Sequence, residues 1–388
     1  MSTNSPQTHR FIIMTVDPVH IGTGGMRLGR VDNAIVREPG TNLPKIPGTA
    51  LHGVIRGYAA RRLGKPQCAG QGSRENKHCG RPTCPICYTF GSIQEDAGAF
   101  SGVVSIYDAR ILLFPVYSMV GPVWVTTPEI LMDAGFGNNY NVTEGKAKWD
   151  KITENNSINL GWLMVERDGN SWKPPGELTK ILPQSIQDRI VLVSGKLFPQ
   201  IVNSNLEVRT SVAINPATGA AEEGALFTYE ALPRTTFLWF DVVVDDFKNG
   251  FPADEIWKEK IKPIENISLP TDMPEDESAI EKVLRELGYI DNRPVQQKEE
   301  KDDEFEIKKK GYWTKVTNSF KILEDVMNLT WRNPLDIVSL GLEWAEYLGI
   351  GGMGTRGFGR IRKIIHYEVE ENSIENRNNG GKNDQTNS

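Results

Sequence analysis

The sequence lacks the signals that would place a chain in a membrane or outside the cell. No apolar run approaches 18 residues, so no membrane-spanning helix is predicted. The first residues, MSTNSPQTHRFIIMTVDP, contain no basic region followed by an apolar stretch and a small-residue cleavage site. We therefore expect no secretion signal, no membrane partner and a cytoplasmic location.

The sequence also lacks the usual nucleotide-binding patterns. The pattern G-x-x-x-x-G-K-[ST] is absent, which excludes an ATP-binding P-loop. A loose G-x-G pattern occurs in HIGTGG, but no acidic residue on a following strand supports a dinucleotide site. No aromatic-rich strand of the RNP type appears, which disfavours a generic RNA-recognition-motif binder.

Charge is unevenly distributed along the chain. The formal net charge is −6, which argues weakly against a generic nucleic-acid binder. Residues 1–115, however, contain 13 Lys/Arg and 7 Asp/Glu, a net of +6 against −12 in the remainder. A basic amino-terminal third suits a polyanionic partner, and ordinary unevenness of surface charge would look the same.

Cysteine is scarce, and all four cysteines lie within 20 residues. The segment CAGQGSRENKHCGRPTCPIC ends in a C-x-x-C pair and is punctuated by Gly and Pro. Disulfides are disfavoured in a reducing compartment, and no thioredoxin-like context supports a redox pair. We predict a structural zinc site with four protein ligands and no open position; His78 is an alternative to one thiolate. The predicted ligands are Cys68, Cys79, Cys84 and Cys87.

The apolar periodicity predicts an α+β chain. The expected order is strand, helix, strands, hairpin, strand, helix and strand, which suits a ferredoxin-like (RNA-recognition-motif-like) core. Thr49 is predicted to cap the first helix, and Asn333 with Pro334 to begin the last. The segment 133–190 carries no clear pattern, and the charged run within 298–310 is a solvated loop or a charged helix. The predicted organisation is one domain over 1–370 with a zinc-knuckle insertion at 64–90, a hairpin at 206–226, a charged loop at 290–312 and a disordered tail at 371–388.

Two glycine-rich segments and one helix start are candidate anion-binding elements. HIGTGG and GIGGMGTRGFG allow a backbone to approach a phosphate and present amide N–H groups to it. Arg356 favours an anion at the second segment. Lys45, His52 and Arg56 lie in and around a helix that follows Pro47-Gly48, and helix N-termini attract phosphates. Packing of a tight loop would explain the first segment equally well, and simple exposure is the alternative for Lys45 and His52.

Asp32 is the candidate for chemistry. It follows the first glycine-rich segment, in GRVDNAIVRE, amid basic residues. A carboxylate beside bound RNA repels phosphate, so its presence suggests a metal ligand or a proton acceptor for a ribose 2′-hydroxyl. A turn or cap residue is the ordinary role of a lone loop aspartate.

These segments resemble the RAMP superfamily of CRISPR-associated proteins, and most closely the repeated backbone subunit of type III-B (Cmr) effector complexes. HIGTGG, VDNAIVRE, LPKIPGTALHGVIR, YDARILLFPV, VWVTTP, GALFTYEALP and GIGGMGTRGFG carry the likeness in that order. It covers most of residues 10–130 and 205–240, plus 345–362. The chain is longer than the resemblance implies, in its middle and its carboxyl-terminal region.

The resemblance implies a palm with a β-hairpin thumb at about 206–226. Copies would stack as a helical multimer along the CRISPR RNA, together with other type III effector subunits. Each thumb would flip a base of the guide–target duplex at six-nucleotide intervals, and Asp32 would cleave the single-stranded target RNA with Mg²⁺ or Mn²⁺, leaving a 2′,3′-cyclic phosphate. The implied RNA-binding residues are His20, Gly22, Gly24, Lys45, His52, Arg56, Arg209, Gly351, Gly352, Thr355 and Arg356.

Two other functions remain open from the sequence. One is a backbone subunit that binds RNA without cutting it. The other is an endoribonuclease that processes CRISPR precursor RNA with a histidine as general base, for which His20 is the candidate.

Overall fold

The computed structural model describes residues 5–24, 31–70, 78–93, 99–137, 140–169, 171–221, 226–298 and 300–369. The predicted disordered tail, 371–388, lies outside these residues.

Strands and helices both occur throughout the described ranges. The strands there are β1 Gln7–Thr15, β2 Lys45–Ile46, β3 Gly91–Ser92, β4 Phe100–Ser101, β5 Val104–Ile106, β6 Ala109–Val116, β7 Val123–Thr126, β8 Lys146–Lys148, β9 Ser157–Leu160, β10 Leu163–Arg167, β11 Ile190–Val193, β12 Glu207–Ser211, β13 Phe227–Ala231, β14 Phe237–Val244 and β15 Ile361–Glu368. The α-helices there are α1 Gly48–Arg62, α2 Pro85–Phe90, α3 Pro128–Asp133, α4 Gly176–Ile181, α5 Gln184–Gln187, α6 Phe198–Ser204, α7 Asp254–Ile261, α8 Ala279–Glu286, α9 Asp302–Val326 and α10 Pro334–Leu348. Short 3₁₀ turns occupy Pro66–Cys68, Lys262–Ile264 and Gly354–Arg356.

The chain divides into two compact units, where the sequence predicts one domain with insertions. The sheet unit comprises residues 8–51, 106–242 and 345–388, and the cysteine unit comprises 1–7, 52–105 and 243–344. The predicted insertions at 64–90 and 290–312 therefore belong to the same unit.

A large mixed sheet dominates the sheet unit. Nine of its eleven strands follow the order β15-β1-β14-β6-β7-β11-β8-β10-β9, and β2 pairs with β6 off this path. Most neighbours are antiparallel, but β11 runs parallel to β7 and β10 runs parallel to β8. β6 is buried at six of its eight positions, so it reads in the sequence as a nearly continuous apolar run. The predicted α+β class is confirmed, and the ferredoxin-like palm stays a prediction.

A separate two-stranded hairpin overlaps the segment 206–226 that the sequence predicts as one. β12 pairs antiparallel with β13, from Glu207 opposite Ala231 to Ser211 opposite Phe227. The Asn215–Gly219 turn closes through a hydrogen bond of 2.8 Å from the Gly219 amide to the Asn215 carbonyl. The second strand, Phe227–Ala231, begins only after the predicted boundary at 226.

The cysteine unit is mainly helical, and its core is aromatic. Trp257 contacts Trp331 and Tyr289, with ring centroids 5.2 and 5.8 Å away. The Trp257 indole donates to the Thr83 carbonyl at 2.8 Å, and the Tyr289 hydroxyl donates to the Leu63 carbonyl at 2.7 Å. Part of the extra carboxyl-terminal length therefore packs against the cysteine segment.

Three local predictions have a definite outcome. Asn333 does cap α10, because its side-chain oxygen accepts from the Asp336 amide at 3.0 Å. The cap at Thr49 is wrong, because α1 already begins at Gly48. Of the two alternatives for the charged run within 298–310, the helix is confirmed from Asp302, where α9 begins, so the loop assigned to 290–312 is wrong from that residue onward. Among the described residues, no helix combines the length and the apolar character needed to cross a bilayer.

Candidate functional site

The segment that carries Asp32 runs alongside the second strand of the hairpin. The Asn33 amide donates to the Thr228 carbonyl at 3.0 Å, and the Glu230 amide donates to the Asn33 carbonyl at 3.0 Å. Asn33 thereby forms a parallel bridge with Tyr229. A two-stranded hairpin leaves strand edges unpaired, and this segment fills one edge of β13.

Asp32 is exposed and is held by Thr228. Its Oδ2 accepts from the Thr228 amide at 2.7 Å and from the Thr228 hydroxyl at 2.9 Å. These two hydrogen bonds, the backbone one first, lower the pKa of the Asp32 carboxyl. The side chain is therefore a carboxylate at neutral pH, which suits it to bind a cation better than to accept a proton.

Glu230 anchors the same segment further along. Its side chain is buried, and its Oε2 accepts from Arg37 Nη2 at 2.8 Å and from the Ile35 amide at 3.4 Å. Arg37 also donates to Asn203 Oδ1 at 2.9 Å. Sequence reasoning missed this pair, because Glu230 lies 193 residues from Arg37.

The two glycine-rich segments meet at His20. The Gly352 amide donates to the His20 carbonyl at 2.9 Å. A Cβ on Gly351, whose φ is +82°, would lie 2.4 Å from that carbonyl oxygen, and a Cβ on Gly22 would lie 3.1 Å from His20 Nε2. Only glycine tolerates the approach at Gly351, whereas a Cβ at Gly22 would require the His20 ring to shift by a few tenths of an ångström. The glycines therefore have a packing role here, whatever else the segments bind.

His20 itself is buried. Its Nδ1 lies 2.6 Å from the Glu230 carbonyl oxygen, so Nδ1 must be the protonated ring nitrogen. Its exposed fraction is 7%, which leaves little room for the general-base role considered for precursor processing.

The second glycine-rich segment also contacts the hairpin. Arg356 donates to Ser211 Oγ at 3.3 Å, and the Arg209 guanidinium lies 4.6 Å from the centre of the Phe358 ring. Arg209 is also paired with Glu207 at 2.6 Å. Several predicted RNA-binding residues around this point are exposed, namely Gly22, Gly24, Arg209, Gly351, Gly352, Thr355 and Arg356. The structure thus brings both glycine-rich segments and Asp32 to the base of the hairpin.

Lys45 and the start of α1, where the sequence suggested a phosphate, both bind the side chain of Asp108. Asp108 accepts from the Gly48 amide at 2.7 Å and forms an ion pair with Lys45. Burial alone would raise the pKa of Asp108, but the bonds from Lys45 and Gly48 outweigh it and lower the pKa. A protein carboxylate therefore holds the place in which the sequence suggested a phosphate.

Arg56 and His52 also differ from the prediction. Arg56 is 7% exposed and donates to the Cys68, Phe90 and Gly91 carbonyls at 2.8–3.2 Å. This arrangement leaves Arg56 unavailable to RNA, so that prediction is corrected. The half-buried His52 packs edge-on against Phe90, with ring centres 5.2 Å apart.

The four cysteines converge on one point. Their sulfur atoms all lie within 4.8 Å of one another, and the pairs Cys79–Cys87 and Cys68–Cys84 are 3.8 and 3.9 Å apart. Four thiolates about 2.3 Å from a central ion would stand about 3.8 Å apart in a tetrahedron. The set fits a tetrahedral metal ion. Within the described residues the cluster does not include His78, whose ring nitrogens lie 3.1 and 3.2 Å from Arg56 Nη2.

Two buried cations, Arg56 and Lys65, flank the cysteines, and the sequence analysis did not identify Lys65. Lys65 is fully buried, with Tyr289 and Trp257 ring centres 4.9 and 5.6 Å from its Nζ, which also donates to the Leu287 carbonyl. Burial alone would lower the pKa of Lys65, but the surrounding cysteines raise it. Four thiolates with one divalent ion carry a net charge of −2, which Lys65 and Arg56 balance.

Comparison with known proteins agrees with the predicted family. The model of the RAMP superfamily matches residues 12–362. The chain is 28% identical over 254 residues to "CRISPR system Cmr endoribonuclease Cmr4" of Pyrococcus furiosus, a match that covers 60% of this chain and 80% of that protein. It is 32% identical over 83 residues to "CRISPR system Cms endoribonuclease Csm3" of Methanothermobacter thermautotrophicus, covering 21% and 31%.

The chain is also similar to solved structures. The crystal structure of oligomeric Cmr4 from Pyrococcus furiosus is 18% identical, with a TM-score of 0.48, and the match covers 94% of this chain and all of that one. The family assignment does not depend on it, because the family model alone spans nearly the whole described chain. This chain belongs to the RAMP superfamily.

Proposed function

We propose that this chain is a backbone subunit of a type III CRISPR effector complex, which binds CRISPR RNA as a helical multimer and cleaves target RNA through Asp32. The observation that supports this most is the exposed Asp32 carboxylate, held against the hairpin beside two glycine-rich segments. Membership of the RAMP superfamily and the similarity to two proteins named endoribonucleases support it further.

The proposed reaction uses the nucleophile that RNA already carries. Attack of a 2′-hydroxyl on the adjacent phosphorus requires an in-line geometry that a regular duplex forbids. A hairpin that unstacks one nucleotide, at a cost of a few kcal/mol, permits that geometry. The 2′-hydroxyl gives its proton to solvent as its oxygen bonds to phosphorus. The 5′-oxygen leaves and takes up a proton from solvent, which gives a 2′,3′-cyclic phosphate and a 5′-hydroxyl.

Asp32 has the properties of a ligand for a catalytic divalent cation. Mg²⁺ sites often use only one or two protein carboxylates, together with water and substrate phosphate oxygens. Asp32 is exposed and ionised, so it fits such a site with Mg²⁺ or Mn²⁺. When bound, the ion would neutralise charge on the reacting phosphate. The part of Asp32 is to hold the cation beside the unstacked linkage.

Guide binding would rest on backbone contacts at the base of the hairpin. The exposed glycine-rich segments offer amide groups, and Arg209 and Arg356 offer positive charge. Such contacts ignore base sequence, as a protein that serves many guides requires. Lys45 and Arg56 are left out of this proposed surface, because Asp108 and backbone carbonyls already bind them.

The cysteine cluster would bind Zn²⁺ in a structural site. All four ligands are protein thiolates, so no position remains for substrate. The bound ion would fix Cys68 and the segment 79–87 against the helices of the cysteine unit.

The test is Asp32→Asn in the complex assembled with guide RNA. Cleavage of a bound target at six-nucleotide spacing should be lost, while target binding and assembly stay normal. Normal cleavage by the variant would exclude Asp32 as the catalytic residue. A wild-type complex that binds but never cuts would favour the purely structural alternative.

A further inference from the structure

The strand that forms the hairpin also holds the proposed catalytic carboxylate. Thr228 contacts residue 32 three times: its amide and hydroxyl donate to Asp32 Oδ2, and its Oγ1 accepts from the Asp32 amide at 3.1 Å. The hydroxyl thus fixes both the side chain and the backbone of Asp32. Apart from threonine, only serine has a short hydroxyl side chain that can both donate to the carboxylate and accept from the amide.

We propose that Thr228 is a positioning residue for RNA cleavage, which aims the Asp32 carboxylate at the reacting linkage through its hydroxyl. This inference rests on the proposed function of Asp32. Thr228 itself need not contact the RNA, because its hydrogen-bonding capacity is directed at Asp32. This role is distinct from stabilising the fold. Asp32 is exposed, and an exposed carboxylate keeps no fixed orientation unless another group binds it.

The backbone pairing of the segment does not depend on this hydroxyl. The Asn33–Thr228 and Glu230–Asn33 hydrogen bonds join main-chain atoms. The Glu230 carboxylate also binds the Ile35 amide and the Arg37 side chain. Replacing Thr228 by valine keeps a β-branched strand residue of nearly the same shape. The substitution therefore removes the two hydroxyl contacts that orient Asp32. It leaves the bond from the Thr228 amide to Asp32 Oδ2 and the main-chain pairing in place.

The experiment compares Thr228→Val, Thr228→Ser and Thr210→Val in assembled complexes. Thr210 lies directly opposite Thr228 on β12, so its replacement is a matched loss of a hydroxyl on the same hairpin. Single-turnover target cleavage, target affinity and the position of the cuts are measured for each. Asp32→Ala is run in parallel.

Thr228→Val should cleave about tenfold to a hundredfold more slowly, the scale expected when a reacting group is misplaced by about 1 Å. Its target affinity and six-nucleotide spacing should not change. Thr228→Ser should restore cleavage to within about threefold, and Thr210→Val should match the wild type.

Three results would overturn the inference: Thr228→Val cleaving normally, Thr228→Ser being as slow as the valine variant, or Thr210→Val being equally slow. Loss of target binding or assembly by Thr228→Val would likewise assign Thr228 to the fold alone. Failure of the proposed function looks different, because Asp32→Ala would then cleave normally whatever the Thr228 variants do.

Discussion

Arg10 and Asp241 form a two-point ion pair inside the sheet unit, with Nε–Oδ1 and Nη2–Oδ2 distances of 2.8 Å. The Arg10 side chain is 3% exposed and also lies 4.3 Å from the centre of the Trp239 ring. A charge buried this deeply is tolerated only because its partner is present.

Asp241→Asn should lower the free energy of unfolding by about 3 kcal/mol, because it leaves the Arg10 charge without a counterion. Urea unfolding followed by tryptophan fluorescence measures the change. Glu144→Gln is the matched control, because it breaks the exposed Lys196–Glu144 pair of the same unit and should cost at most about 1 kcal/mol. Equal losses from the two variants would contradict this ranking.

The cysteine site should contain one zinc ion per chain, measured by elemental analysis of the purified protein. Cys84→Ser should lose the metal and lower the melting temperature, because a structural zinc site contributes directly to folding. His78→Ala should keep the metal, because among the described residues the cluster that could bind it consists of the four cysteines and does not include His78. Retention of a full equivalent by Cys84→Ser would refute the four-thiolate site.

Lys65→Met should weaken metal retention about tenfold to a hundredfold, the scale typical of groups that surround the ligands of a metal. The reason is that the variant removes one of two buried charges that balance the anionic cluster. Release of zinc to a chelating dye measures the effect. Lys262→Met, at an exposed lysine of the same unit, should release zinc at the wild-type rate.

Asp108→Asn should destabilise the protein by about 1 kcal/mol at neutral pH, the scale of a lost helix N-terminal bond. Because the folded-state pKa of Asp108 is lowered, its stabilisation is fully present above the unfolded value of about 3.9 and is lost as the pH falls through the lower folded-state value. The gap between variant and wild type in urea unfolding should therefore shrink steadily as the pH falls below about 3.9. A gap that does not change with pH in acid would contradict this assignment.

Guide binding by the isolated chain should weaken steeply between 50 and 200 mM salt, because phosphate contacts release counterions. Arg356→Gln should reduce the slope of log affinity against log salt by about one. Lys180→Gln removes the same charge from exposed α4 and should leave the slope unchanged. A flat salt response in the wild type would exclude a phosphate-based surface.

Local patterns were readable from the sequence, and partnerships between distant segments were not. The cysteine spacing, the Asn333 cap and the Asn215–Gly219 turn each depend on neighbours within 20 residues. The Asp108 carboxylate at Gly48 lies 60 residues away, and Thr228 lies 196 residues from Asp32. No periodicity reports such pairs.

One element that the sequence left open did carry a usable signal. The charged run could be a loop or a helix, although Trp313, Val316, Leu323 and Val326 recur at helical spacing and are buried. Lys65 carried none, because a lysine enclosed by two aromatic rings looks like any other lysine until the chain has folded.

Because the segment 31–37 is joined to β13, Asp32 shares a frame of reference with the hairpin. If the hairpin enters a duplex as proposed, any tilt of the hairpin would carry Asp32 along by the same angle. The distance from the hairpin to the Asp32 carboxylate would then be the same in every copy along the proposed multimer, even where neighbouring copies are spaced unevenly.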